Sequence, residues 1–260
     1  MKKKAIIISI KGFTLSRKEK FLLTKESPWG LILFKRNIKS IIQLKILIKN
    51  IQKLTKEKNF PILIDEEGGT VTRLNNIINH DFSANYFGNL YSINEQVCIN
   101  LYINYLNSLC KLLKYLGLNI NTIPVLDVLR KNTNKIIGKR SFSSNKKIIK
   151  KLGSITVDQC HKNKIITVIK HIPGHGATTL DSHIKIPKIN LSLKKLNDKD
   201  FFPFKSNKSK LAMTAHVLYK KIDPINVATF SKKLIKEIIR KKIGFKGIIM
   251  SDDISMKALK

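Results

Sequence analysis

Lys170-His171-Ile172-Pro173-Gly174-His175-Gly176, with Asp181-Ser182-His183 a few residues on, crowds three histidines, a lysine and an aspartate into a stretch whose proline and glycines forbid regular structure. A chain that forgoes packing to present so many polar groups marks a site. Histidine, with a reference pKa of about 6.5, suits proton transfer near neutrality. The same residues also fit a metal site, because His171, His175, Asp181 and His183 form a plausible ligand set. Pro173-Gly174 breaks the helix that would align His171 with His175, which weighs against the metal. Two more carboxylate groups stand out, Asp65-Glu66-Glu67 before Gly68-Gly69, and Asp252-Asp253 after Ile248-Ile249-Met250. An aspartate there is commonly a helix cap. Asp253 is assigned that role, and Glu66 and Glu67, which point to different sides, are assigned supporting ones.

These residues need a frame that brings them together. β-branched or apolar runs predict strands at 5–10, 31–34, 61–64, 120–125, 165–169, 211–216 and 247–250, seven in all. Three- and four-residue apolar spacing predicts helices over 38–58 and 94–115, the second stopped by Gly117, and further helices over 146–162 and 231–242. The stretch 65–90 reads as a loop region and 191–204 as partly irregular. Strands alternating with helices argue for parallel βα units. Strands two to seven each end in a polar residue: Arg36, Asp65, Asp127, Lys170 with His171, His216 and Asp252. Parallel strands carry all those ends to one face, as in a (β/α) barrel, and that placement raises Asp252 from cap to candidate catalytic group. An open doubly wound sheet would gather its site at one switch point, and no glycine-rich dinucleotide fingerprint follows the first strand.

With 260 residues and 43% hydrophobic content, the chain suffices for one large α/β domain, expected to span 1–260. No apolar stretch reaches the ~20 residues of a membrane span, and Ile6 to Ile10 reads as a first strand rather than a signal peptide. Cys98, Cys110 and Cys160 fall in helical segments without CxxC spacing, so a cytoplasmic protein is expected. The net charge of +33 invites a nucleic-acid reading. Yet only six of the 50 basic residues are arginine, the lysines are spread evenly, and no aromatic-basic platform recurs. Lys, Ile and Asn enriched together reflect AT-rich codons, so no specific nucleic acid is expected as partner.

Three long motifs, in order, carry a resemblance: Asp65-Glu66-Glu67-Gly68-Gly69-Thr70-Val71-Thr72-Arg73-Leu74; Lys170 to Gly176 with Asp181-Ser182-His183; and Gly244-Phe245-Lys246-Gly247 with Ser251-Asp252-Asp253-Ile254-Ser255-Met256. From about residue 5 onward the chain resembles family 3 glycoside hydrolases, in particular the bacterial cytoplasmic β-N-acetylglucosaminidases that recycle cell-wall fragments. The resemblance implies a TIM-type (β/α)8 barrel. It implies Asp252 as nucleophile, His183 as proton donor and acceptor, and Asp181 as the residue that orients His183. It places the sugar and its N-acetyl group on Asp65, Arg73, Arg140, Lys170 and His171. No metal and no cofactor are implied, and the expected partner is a small carbohydrate, a muropeptide bearing a terminal N-acetylglucosamine.

A retaining glycosidase pairs a nucleophile with an acid that protonates the departing oxygen, usually two carboxyls. Here His183 takes the acid's place, and a carboxylate two residues away favours the protonated imidazole that acts first. The departure from the family pattern is at the end of the chain, where the eighth strand and closing helices are missing. The expectation is therefore an opened barrel with uncovered edges on strands one and seven, either a working minimal enzyme or a relic that retains sugar binding. Within the family, a phosphorylase that uses phosphate in place of water is the enzymatic rival.

Overall fold

The computed structural model describes residues 3–134, 137–178, 186–256 and 259. Asp181 and His183 lie outside the described residues.

Seven parallel strands form one sheet: β1 (Lys4–Ser9), β2 (Pro28–Leu33), β3 (Ile62–Ile64), β4 (Ile120–Asn121), β5 (Ile166–Ile172), β7 (Leu211–Thr214) and β9 (Ile248–Ser251). Apart from a small separate pair, β6 (Lys188–Ile189) with β8 (Leu218–Tyr219), spatial order follows chain order. The helices are α1 (Arg17–Phe21), α2 (Ile41–Thr55), α3 (Ala84–Ile93), α4 (Glu95–Leu116), α5 (Lys146–Lys162) and α6 (Leu193–Asp198), followed by a π-helix over Leu234–Ile243. The helical spacing read from the sequence is met within a few residues, because caps set the ends. Ser40 and Asn94 accept from the first turns of α2 and α4, and Gly117 ends α4 in the left-handed conformation.

Two differences bear on the site. The strand expected to run to residue 125 pairs regularly only over Ile120–Asn121, since Pro124 has no N–H to give the ladder, and it resumes as a single bridge from Val125 to Lys170. The following strand is correspondingly longer than expected. β5 runs through Lys170 and His171 to Ile172, so these two side chains are held on a strand rather than on the loop after it. The region 65–90 is also not all loop, for α3 begins at Ala84 behind a Ser83 cap.

The larger core fills the space between sheet and helices. A smaller one is made entirely by strands: Leu63, Ile120, Val168, Leu211 and Met213, with Ile7, Trp29, Ile32, Ile166 and Met250 against them. Leu63 and Val168 are fully buried there although no helix contributes to the cluster. A flat sheet would leave such a face in water, so the sheet is curled upon itself.

β1 and β9 are the two ends of the sheet, each paired on one side only among the described residues. On β9, Ile248 is 60% exposed, and a cleft of about 970 Å³ runs along the strand from Lys210 to Ser251. Amides of Ile248 to Met250 are therefore expected to exchange with solvent at least about tenfold faster than those of Thr167 to Ile169 in the middle of the sheet. Equal protection in a monomer, measured by hydrogen exchange, would show that the β9 edge is covered.

Candidate active site

The C-terminal ends of the strands gather a single charged network. Register places its members: Ile64 pairs with Asn121 and Asn121 with Thr167, so Asp65 and Thr122 stand at one level and Lys170 reaches across to them. The Lys170 ammonium lies 3.2 Å from Asp65 Oδ1 and 2.6 Å from Glu67 Oε1, and donates to Thr122 Oγ1 at 2.8 Å. Its side chain is 3% exposed. A buried cation of this kind is tolerated only when its charge and its donors are all met, which these three partners do.

The chain of contacts extends in both directions. Arg73 donates through Nη2 to Asp65 Oδ2 at 3.2 Å. Arg140 grips Glu67 with two donors, Nε to Oε2 at 2.8 Å and Nη2 to Oε1 at 2.9 Å, the fork geometry that suits guanidinium to carboxylate. The same Nη2 lies 3.4 Å from His171 Nε2, and His171 Nδ1 lies 2.7 Å from Asp127 Oδ2. The imidazole thus lies between a carboxylate and a guanidinium. Asp127 also accepts from the backbone N–H of His175 at 2.6 Å. All five residues expected to hold the sugar, Asp65, Arg73, Arg140, Lys170 and His171, are thus brought into one cluster.

Electrostatics follows from this packing. Burial works against ionising Asp65, but Lys170, the Thr122 hydroxyl and Arg73 outweigh it and hold the carboxyl far below the usual range. Burial likewise opposes ionisation of Glu67, and Arg140 with Lys170 overcomes it, bringing the pKa to about 2. Asp127 is lowered despite its burial by His171 and His175. His175 goes the other way, since burial, only partly offset by Asp127, brings it to about 4.

Asp252 follows β9 directly. Ile172 pairs with Thr214 and Thr214 with Ser251, so Asp252 stands at the same sheet edge as the network, on the far side of β7. It is partly exposed and accepts from Asp253 N–H. Asp253 accepts from the backbone and hydroxyl of Ser255, a capping geometry on the turn that follows. The cleft beside β9 reaches Ser251 but is not lined by the charged network.

Three members were not singled out as site residues from the sequence: Glu67, Asp127 and Thr122. Asp127 was visible as a polar strand end, and only its partner His171, 44 residues on, gives it a task. Glu67 was assigned a supporting role and instead ties Lys170 to Arg140. Glu66 is the supporting one, fully buried and accepting from the N–H groups of Arg73 and Leu74 and facing His80 Nε2 at 3.0 Å. Two of the four residues of the metal reading, Asp181 and His183, lie outside the described residues, and the other two make hydrogen bonds of their own. His171 is engaged by Asp127 and Arg140, His175 Nδ1 faces the Thr178 hydroxyl at 2.9 Å, and no group of three metal-ligating side chains occurs among the described residues.

A parallel sheet whose strand ends gather alternating carboxylates, guanidinium groups and an ammonium has the polar groups of an α/β enzyme site on one face. The chain belongs to glycosyl hydrolase family 3, whose N-terminal domain matches residues 3–260. It is 36% identical over 256 residues to the beta-hexosaminidase of Idiomarina loihiensis, covering 97% of this chain and 75% of that protein. To the beta-hexosaminidase of Haemophilus influenzae it is 34% identical over 257 residues, covering 97% and 72%. Among solved structures, NagZ from Neisseria gonorrhoeae in complex with N-trifluoroacetyl-D-glucosamine matches with a TM-score of 0.88 at 32% identity, over 97% of this chain and 75% of that one.

The displaced pKa values make stability depend on pH. His175 has a folded pKa lowered from 6.5 to about 4, so its contribution is complete above 6.5 and is lost as pH falls through 4. The difference corresponds to about 3 kcal/mol. Glu67, lowered from 4.5 to about 2, adds a further loss between those two values. Denaturant unfolding between pH 7 and 4 is expected to show the first loss, and His175→Gln to flatten that segment of the profile. A wild-type profile already flat from 7 to 4 would contradict the buried, neutral His175.

Proposed function

We propose that this chain is a retaining β-N-acetylglucosaminidase, removing non-reducing terminal N-acetylglucosamine from peptidoglycan-derived muropeptides in the cytoplasm, on a single (β/α) barrel-type domain. The observation that carries this reading is the network from Arg73 to Asp127. Its anions and cations alternate, so it offers charge-strengthened donors and acceptors side by side with little net charge left over. A pyranose ring, neutral and edged with hydroxyls that both donate and accept, is the ligand such a surface suits. Lys170 and Arg140 are locked by carboxylates before any sugar arrives, so little is lost in ordering them.

On this reading Asp252 attacks the anomeric carbon and displaces the aglycone while His183 gives its proton to the departing oxygen. The glycosyl-enzyme ester is then cleaved by water, whose proton His183 takes, and configuration is retained. Asp181 supports the protonated imidazole in the first step. The activity of these relatives, beta-hexosaminidase, supports the reaction class. The N-acetylglucosamine derivative held by the Neisseria protein supports the sugar.

The purified protein is expected to release N-acetylglucosamine from a chromogenic β-glycoside with the β configuration observed first by NMR. Asp252→Ala should lose roughly a thousandfold or more, with no trapped intermediate. His183→Ala should lose about 10²–10⁴ on poor leaving groups yet form the intermediate readily from a dinitrophenyl glycoside. No turnover of any such substrate by intact, folded protein would overturn the enzyme reading in favour of a sugar-binding relic. Sugar 1-phosphate as the main product when phosphate is added would replace hydrolysis by phosphorolysis.

A further inference from the structure

Between β5 and the segment bearing Asp181 and His183 runs the loop Pro173–Thr178, buried for most of its length. Its backbone is held from two sides. On one side stands the chain after β4: Asp127 accepts from His175 N–H at 2.6 Å, the Thr133 hydroxyl donates to Gly176 C=O at 2.6 Å, and Asn134 N–H donates to Thr178 C=O at 3.0 Å. A Cβ on Gly176 would come within 2.0 Å of Val128 C=O, so the two backbones are in direct contact. On the other side, the Tyr219 hydroxyl donates to Gly174 C=O at 2.6 Å. Gly174 itself, at φ +138°, has Cβ and the carbonyl oxygen of Asp200 3.1 Å from where its own Cβ would be.

These two walls are joined by one ion pair. Arg130 Nη2 donates to Asp200 Oδ2, linking the post-β4 chain to the residue that packs on Gly174. The pair is not built for stability. Asp200 is fully buried, and among the described residues neither its Oδ1 nor Arg130 Nε has a hydrogen-bond partner, so one bond is made where a bidentate grip was available. A buried pair that leaves a donor and an acceptor unmet stabilises little against an apolar replacement. Its effect is geometric: it fixes the distance between the two walls and so the width of the slot in which Pro173–Thr178 lies.

We propose that Arg130 and Asp200 are positioning residues, a clamp that fixes the base of the loop leading to Asp181 and His183 and so governs proton delivery to the leaving group. The assignment rests on the glycosidase reading for its kinetic consequence, but not for the clamp itself. Neither residue touches the Asp65–Lys170–Arg140 network in the contacts described above, so sugar binding is expected to survive the loss of the pair.

The test compares wild type with Arg130→Ala, Arg130→Lys and Asp200→Asn. By hydrogen exchange, amides of Gly176 and Thr178 in Arg130→Ala are expected to exchange about tenfold faster or more, while those of Val168 and Ile169 stay as slow as in wild type. By kinetics, kcat on an alkyl or 4-methoxyphenyl β-N-acetylglucosaminide should fall about tenfold or more with KM nearly unchanged. Formation of the intermediate from a dinitrophenyl glycoside should change less than about threefold. Arg130→Lys, which can still reach Asp200, should recover most of the loss. Unchanged exchange at 176–178, or an equal fall on both substrates, would overturn the clamp. A wild-type protein that turns over neither substrate would sink the glycosidase reading alone, and the exchange arm would still decide the clamp.

Discussion

A lysine ammonium removed from water is the constraint around which the candidate site is arranged. Lys170 lies on β5, and its partners come from the ends of β3 (Asp65, Glu67) and β4 (Thr122), so neutralising one charge requires three strands in fixed register. Removing one partner of such a pair costs about 3–5 kcal/mol, because the other charge is left buried and alone. Asp65 and Glu67 then need their own outer partners, Arg73 and Arg140, and Arg140 brings His171 with Asp127 behind it. Each charge is held by the next, and the outcome is a cluster of three cations and three carboxylates at the strand ends.

How far this could be read from the chain depended on the range of the interaction concerned. Helices α2, α4 and α5 were legible because apolar spacing and capping residues are local signals, and Gly117 marked the end of α4 correctly. The polar residues ending the strands were equally plain. Pairings were not. Lys170 meets Asp65 across 105 positions and Arg140 meets Glu67 across 73, and nothing in the spacing of either motif names its partner. That is why Glu67 and Asp127 were passed over, while Asp65 and His171, which came with the family resemblance, were not. α3 was lost for another reason: ten residues with Gly88 in the middle give too little periodicity to distinguish a helix from a loop.

The composition of the chain gains meaning from the same geometry. Five of its six arginines donate to protein partners: Arg36 to Ile10 C=O and the Ser9 hydroxyl, Arg73 to Asp65, Arg130 to Asp200, Arg140 to Glu67, and Arg240 to the carbonyls of Phe245 and Gly247; Arg36 and Arg140 do so through two different nitrogens. A lysine supplies the charge but not two donors fixed in one plane. The lysines that give the chain its charge of +33 are mostly exposed on helices and loops, where a solvated ammonium serves as well as a guanidinium.

The two halves of the candidate site are held with unequal firmness. The half proposed to hold the sugar stands on β3, β4 and β5, in the middle of the sheet, with side chains such as Lys170 and Glu67 almost entirely out of water. The proposed nucleophile, Asp252, follows β9, an end strand with one neighbour, a half-open face and a long cleft beside it. Preorganisation is thus supplied to binding by ion pairs but to chemistry mainly by the pairing of β9 with β7, four residues long. Since a misplacement of about 1 Å can cost a hundredfold in rate, whatever orders β9 acts on turnover before it acts on affinity. On the proposed assignment, binding strength and catalytic rate are set by different strands of one sheet.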